Sequence, residues 1–389
     1  MSKLEYISDE LLKPISNKDR ELESISKVKF TYKQDVLNRF KSNKLAVFGF
    51  IIILIIIIIA VALPFIYPYG YNDQNFSESN IPPILKLYTD DYGNMFYTNS
   101  DQKVWILNYN ENYITQMEMV KEDLSKKQMI FKLNDKKVIL DYNNKKLTLL
   151  QSTGAEFTNI NKNLNKHHIL GTDSLGRDMF IRIIFGARIS LLIAFVATIV
   201  NLIIGVIYGS IAGYVGGQID NIMMRIVDII DTIPLTLYVI LIMITIGTGL
   251  KSIILAIGSV YWIGMARLVR GQVLTLKNQE YIMVAQTIGT STKDIIIRHI
   301  LPNAMGPIIV SLVLSVPSAI FTEAFLSYIG LGIPVPLASW GTLCNDAVDV
   351  LKIYPYQLIE PSAAICITMF AFNFLGDGLR DALDPKMRK

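Results

Sequence analysis

Residues 45–66, LAVFGFIIILIIIIIAVALPFI, run for 22 positions without a charged side chain. A bilayer's hydrocarbon core is crossed by about 20 apolar residues of α-helix, so this run is a membrane span. Each Ile, Leu or Val favours insertion by roughly 0.3 to 0.6 kcal/mol, several kcal/mol in all before any packing. A cleaved leader does not fit, because 44 residues of charged sequence precede the run and no small-residue cleavage site follows it. Further apolar stretches at 189–212, 235–246, 253–269, 304–320 and 361–375 raise the expected number of spans to six. With 51% apolar residues and a mean hydropathy of +0.39, the fold class is an all-α polytopic membrane protein.

The charges between the runs orient it. Residues 1–44 hold ten Lys/Arg against seven Asp/Glu, with Arg39, Lys41 and Lys44 crowded against the first span, which predicts a cytoplasmic N-terminal arm. Residues 67–166 are rich in Asn, Lys, Asp and Tyr and far exceed what a connection between helices needs. They read as a separate extracellular module, probed for strands by Phe96-Tyr97, by Val104 to Leu107, and by a hairpin of Val138–Tyr142 and Lys145–Leu150 around Asn143-Asn144. Its twelve lysines balance twelve acids, and long loops cross a membrane regardless of charge. Residues 167–188, with Arg177, Arg182 and Arg188 among Phe180, Ile183 and Phe185, predict an amphipathic helix lying in the membrane interface.

The remaining 189–380 form a five-helix core with a cytoplasmic tail at 381–389. Gly205 and Gly209 are spaced to admit a neighbouring helix. The third span begins near Ile222. Burying Asp228 or Asp231 unpaired in lipid would cost about 2.5 to 3.5 kcal/mol, so a supporting pair of Arg225 with Asp228 is expected. Basic Arg380, Lys386, Arg388 and Lys389 keep the tail cytoplasmic.

Between the fourth and fifth spans lies RLVRGQVLTLKNQEYIMVAQTIGTSTKDIIIRHILPN, residues 267–303, whose five basic residues again place it inside. Helical spacing aligns Tyr281, Ala285 and Ile288. Gly289 ends that helix, and Ser291 with Asp294 caps a second short one running toward Pro302. An apolar knob on a bent helical pair between spans predicts a surface covered by another protein.

Three strings resemble the permease subunits of oligopeptide and dipeptide ABC importers. The first is the coupling loop, whose family pattern Glu-Ala-Ala, three residues, Gly, then Ile-Leu-Pro falls on Met283-Val284-Ala285, Gly289 and Ile300-Leu301-Pro302; the Glu-Ala pair is Met-Val in this chain, with Glu280 one turn upstream. The second runs from Leu170-Gly171-Thr172-Asp173 through Gly176-Arg177-Asp178 to Gly186-Ala187-Arg188-Ile189-Ser190, and the third closes the chain from Gly376 to Pro385. A further stretch, Glu323-Ala324 through Gly330-Leu331-Gly332 to Ser339-Trp340-Gly341, resembles the family's Gly/Pro-rich external segment.

The resemblance implies the six-helix type I importer permease fold. It implies ATPase coupling through Glu280, Tyr281, Met283, Val284, Ala285, Gly289, Arg298, Leu301 and Pro302. Glu323 is the candidate for a polar group facing the translocation path, with a role as a structural partner as the alternative. Implied partners are a second homologous permease, two ABC ATPase subunits, an extracellular peptide-binding lipoprotein and the peptide substrate, in a plasma membrane; the flanking charges place both termini in the cytoplasm, and the Ile, Lys and Asn bias leans toward a Gram-positive bacterium. No catalytic group, cofactor or metal is expected on this chain. Its sequence has no phosphate-binding Gly-x-x-x-x-Gly-Lys-Ser/Thr string, so ATP and Mg2+ belong to the partner ATPases. A net charge of +4 without a basic stripe excludes nucleic acid. The alternatives are a permease for nickel or another small solute, an ion-gradient-driven transporter, for which inverted repeats are wanting, and a membrane-anchored external adhesive protein, for which six spans are too many.

Overall fold

The computed structural model describes residues 31–108, 113–143, 147–157 and 159–384. Most of the N-terminal arm, three residues of the turn between the Val138 and Leu150 strands, and the last five residues, with Lys386, Arg388 and Lys389, lie outside them. Helix α1 (Tyr32–Ser42) leads through Asn43, whose side chain accepts from Ala46 N at 3.2 Å, into α2 (Lys44–Ala62). Four long helices follow the module, the first two being α3 (Met179–Val215) and, after the shorter α4 (Gly217–Asp231) and α5 (Leu235–Ile246), α6 (Leu250–Leu276). After a short α7 (Glu280–Thr287) comes α8 (Thr292–Leu331), a 40-residue helix that is π-helical at Ile295–Ile300 and Ser327–Leu331. Helices α9 (Trp340–Asp346) and α10 (Tyr356–Leu383) complete the chain. Five helices are long and apolar enough to cross a membrane, and six if α4 and α5 form one broken span.

Close backbone contact is built from glycines at the predicted spacing. A Cβ on Gly205 would sit 2.6 Å from Met265 Cβ, one on Gly209 would collide with Ala266 O, and one on Gly213 would lie 2.8 Å from Arg270 O. The stripe seats α3 directly on α6. Replacing Gly209 with Leu is expected to separate the two helices. We expect loss of folded protein from detergent extracts, read as the monodisperse peak in size-exclusion chromatography, whereas Gly264→Ala, with open space around it, leaves that peak unchanged.

Three expectations for the spans change. The third span is not straight: α4 and α5 meet at 81°, because Pro234 lacks a donor and disfavours helix at Ile233. Asp228 does not pair with Arg225. Arg267 donates to Asp228 at 3.0 Å and to Asp231 at 2.7 Å, and Arg270 grips both oxygens of Asp220 at 2.6 and 2.7 Å. These bonds clamp α4 to α6. Nor do residues 167–188 form an interfacial helix. Helix α3 starts at Met179 and continues unbroken into the second span, while residues 167–178 form a non-helical knot that buries His168, Thr172, Asp173, Arg177 and Asp178.

Residues 84–164 make two antiparallel sheets. In chain order the strands are β1 (Ile84–Thr89), β2 (Met95–Thr98), β3 (Val104–Asn108), β4 (Tyr113–Gln116), β5 (Glu118–Asp123), β6 (Gln128–Leu133), β7 (Lys136–Asp141), β8 (Thr148–Gln151) and β9 (Asn159–Leu164). The sheet orders are β4-β3-β2-β1-β9 and β5-β6-β7-β8. The strand candidates at 96–97 and 104–107 pair with Phe96 opposite Ile106, and the described part of the predicted hairpin pairs as β7 with β8, Ile139 opposite Leu150. Alternation buries Tyr88, Phe96, Ile106, Phe131, Val138, Leu140 and Leu149 between the sheets.

The knot joins module to spans. Thr172 Oγ1 donates to Glu78 O at 2.5 Å and accepts from Ile81 N at 2.9 Å, and its carbonyl receives Tyr356 OH at 2.6 Å. The module therefore stands on the end of the bundle where α3 and α10 begin. Gly213 and Arg270, at the far ends of α3 and α6, mark the other end.

Candidate functional site

At that other end α6 gives way to α7, and the corner predicted from Gly289 is present: its φ is +83°, a region only glycine occupies without strain. Ser291 Oγ accepts from Asp294 N at 3.2 Å and donates to Asp294 Oδ2 at 2.7 Å, capping the next turn, and Asp294 pairs with Arg298 at 3.1 Å. That second helix does not stop at Pro302. It is the start of α8, passing through the π-helical turn Ile295–Ile300 and on through Pro302.

The two faces of α7 differ from the expected alignment. Ala285 is buried with Ile282 against Val269, Val273, Ile295 and Ile300, so it holds the corner to its own chain. The outward stripe is Tyr281, Val284 and Ile288, with Met283 beside it, exposed by 43%, 60%, 75% and 50%. Glu280, Arg298 and Pro302 are exposed, while Leu301 is half-buried beneath the corner. Ties that the sequence reading missed come from Lys277, which donates to Gly213 O at 3.1 Å, and Gln286, which donates to Tyr214 OH at 3.3 Å. A lysine just past a helix end, where carbonyls lack partners, was the available signal. The corner presents no reacting group. It offers a rigid apolar surface of the kind a protein partner covers.

Glu323 does not face an open path. It is fully buried, its Oε2 accepting from Ser190 Oγ and its Oε1 from Ser327 Oγ, both at 2.8 Å. Ser190 also receives Trp340 N at 3.3 Å, and Trp340 Nε1 donates to Ile183 O at 2.9 Å. Glu323 thus pins the folded-back segment 332–346 onto α3 and α8.

Two buried charge clusters hold the knot. Asp173 Oδ2 accepts from Arg177 Nε at 2.7 Å and from Arg182 Nη1, while its Oδ1 accepts from Leu175 N and Arg177 N, each at 2.9 Å. His168 lies between Asp178 Oδ2 and Glu78 Oε2, each at 2.8 Å. Burial alone would push the His168 imidazole down, but hydrogen bonds and charge from Asp178 and Glu78 outweigh it and raise its pKa from 6.5 to about 9. A raised folded-state value means a stabilisation fully present below pH 6.5 and lost as pH rises through about 9. The shift corresponds to roughly 3 kcal/mol. The excess thermal stability of the wild type over His168→Gln in detergent should accordingly be largest at pH 6 and vanish by pH 10; a gap independent of pH would contradict the protonated imidazole.

Fold and corner together define a polytopic membrane protein with an exposed apolar corner at the end of the bundle opposite its module. Residues 205–389 match the family model described as binding-protein-dependent transport system inner membrane component, and residues 31–83 match the N-terminal transmembrane domain of oligopeptide transport permease C. The oligopeptide transport system permease protein OppC of Bacillus subtilis is 52% identical over 231 residues, 59% of this chain and 76% of that protein. The dipeptide transport system permease protein DppC of the same organism is 38% identical over 384 residues, 98% of this chain and 95% of that protein. A solved inward-facing methionine ABC transporter aligns at 18% identity and TM-score 0.46 over 53% of this chain and 98% of that one. The chain belongs to the family of binding-protein-dependent ABC importer permeases, in its oligopeptide and dipeptide branch.

Proposed function

We propose that this chain is one of two membrane-spanning subunits of an ATP-driven importer of oligopeptides or dipeptides. It works beside a similar second permease, two ATPase subunits that carry ATP and Mg2+, and an extracellular peptide-binding lipoprotein. The relatives named for oligopeptide and dipeptide transport support peptide as the cargo. The observation that carries the coupling is the exposed stripe of Tyr281, Val284 and Ile288 on a helix whose other face is anchored by Ile282 and Ala285.

In this reading the ATPases grip the stripe from the cytoplasm and their closure moves α7. The push is not absorbed locally. Lys277 and Gln286 tie α7 to the end of α3, and the corner continues into α8 without a flexible loop. At the far end Glu323 ties α8 back to Ser190 of α3. Helices α3 and α8 therefore move as one body, which is what alternating access requires. Both termini lie on the ATPase side and the module lies outside.

The test is reconstitution with the ATPase, permease and binding-protein partners in liposomes, reading uptake of a radiolabelled tripeptide. Uptake should need ATP and survive ionophores. Accumulation without ATP, or its collapse when ion gradients are dissipated, would instead favour an ion-driven carrier.

A further inference from the structure

We infer that Arg188 heads a binding site for an anionic glycerophospholipid in the membrane leaflet on the module's side. The site begins with the sequence of α2. Pro64 has no N–H, so the carbonyl of Ala60, four residues back, loses its helical donor. Arg188 of α3 replaces it: Nε donates to Ala60 O, and Nη2 donates to Val61 O at 2.7 Å. These bonds occupy one edge of the guanidinium. The other edge, Nη1 with the second N–H of Nη2, has no acceptor among the described residues, and Arg188 forms no ion pair among them. Two neutral carbonyls orient this cation without neutralising it.

The charge stands at the level of lipid phosphates. Ala60 lies about 24 Å along the helix from Lys44, so the guanidinium reaches the module-side boundary of a hydrocarbon core about 30 Å thick. Phe65, Tyr67, Tyr71, Phe180 and Phe185 gather at the same height, the position of an interfacial aromatic belt. An arginine at this level ordinarily extends its head to water. Here the two carbonyls hold it, together with the rings of Phe65 and Phe185, whose centroids lie 5.4 and 6.0 Å from the guanidinium carbon. Tyr71 stacks on Phe185 at 3.7 Å and fixes that ring. The free edge is thus aimed before any ligand arrives.

Below the guanidinium α3 turns Leu192, Phe195, Ile199 and Ile203 outward, one exposed apolar stripe that starts at Arg188 and descends into the bilayer. A fixed cation above an apolar track fits an amphiphile with an anionic head. A guanidinium edge pairs with two phosphate oxygens at once, and an acyl chain hanging from that phosphate lies along the stripe. A zwitterionic lipid brings its own cation to its phosphate, so a lipid whose phosphate is uncompensated is preferred. The site stands whether or not peptide is the cargo.

The experiment uses the full chain in mixed micelles and phosphatidylglycerol carrying a diazirine on one acyl chain. Irradiation should place adducts within residues 58–66 or 185–203, mapped by mass spectrometry. Unlabelled phosphatidylglycerol should suppress them at least fivefold better than phosphatidylcholine with the same chains, and glycerol 3-phosphate, which has the charge without the tail, should not compete. Arg188→Gln should lower labelling at least fivefold. Since that change also removes the cap on α2, Leu192→Glu is the second variant. It leaves the bonds from Arg188 to α2 in place and sets a carboxylate one turn away, an internal counter-ion; labelling should again fall at least fivefold, with an unchanged size-exclusion profile. Adducts elsewhere, equal competition by the two lipids, competition by glycerol 3-phosphate, or undiminished labelling in either folded variant would overturn the inference. Labelling should also persist in the complex with the partner subunits. Its loss there would make the stripe a subunit interface and overturn the lipid site.

Discussion

Replacing Ile288 with Asp is expected to abolish ATP-driven uptake and to detach the ATPase subunits while leaving the chain itself folded. Ile288 is 75% exposed at the corner, so its side chain contributes little to the fold of the isolated subunit. Once covered by a partner, an isoleucine buries apolar surface worth about 1.5 to 3 kcal/mol. The substituted carboxylate would add the larger penalty of removing a charge from water without a partner. A combined loss above about 3 kcal/mol weakens association more than a hundredfold. Pull-down of the ATPases from solubilised membranes and peptide uptake should fail together, with an unchanged melting temperature of the purified chain. Ala285→Leu should behave in the opposite order. Ala285 is packed under the corner with Ile282 and Ile295, so the extra methylenes would disturb the loop and lower the melting temperature before docking is reached. Retained ATPase binding in Ile288→Asp would mean that the stripe is not the docking surface.

The contrast between these positions also marks how far the sequence could be read. The spans, the Gly205 and Gly209 contact and the Gly289 corner were legible because each rests on one local rule: an uncharged run, small residues four apart, a positive φ. The strand candidates were legible from alternation. Side-chain facing on α7 was not. Tyr281, Ala285 and Ile288 and Tyr281, Val284 and Ile288 are both acceptable helical stripes, and only Val269, Val273 and Ile300, distant in sequence, decide that Ala285 turns inward. Arg225 and Asp228 satisfied the helical pairing rule, but that rule ignores α6, whose Arg267 reaches both Asp228 and Asp231. Glu323 near an expected pathway suggested exposure to it; three serine-bearing segments folding onto one point bury it instead. Arg177 and Arg182 among aromatics imitated an interfacial helix, but their common acceptor, Asp173, and Arg177 itself lie in the non-helical segment before α3, where the chain folds back to bury both guanidiniums.

That acceptor carries the second large effect. Asp173→Ala should prevent the chain from accumulating in a folded form. The side chains of Arg177 and Arg182 are 5% and 3% exposed, and Asp173 binds both. Without it their remaining carboxylate is Asp346, 43% exposed, at 3.9 Å from Arg177 and 3.5 Å from Arg182. Removing one partner from a buried ionic cluster costs about 3 to 5 kcal/mol, a large part of the 5 to 15 kcal/mol by which a typical protein is stable. The backbone donors of Leu175 and Arg177 lose their acceptor as well, and the knot they shape is what fastens the module to α3 and α10. Asp173→Asn should be milder, since its amide oxygen can still accept from those two backbone groups. Adding Arg182→Met to Asp173→Ala should recover part of the folded fraction, because the double change deletes a buried positive charge along with its lost counter-ion. The folded fraction is read by size-exclusion chromatography of a fluorescent fusion extracted from membranes. Equal recovery of Asp173→Ala and wild type would show that solvent reaches the arginines, and that the cluster contributes no more than a surface ion pair.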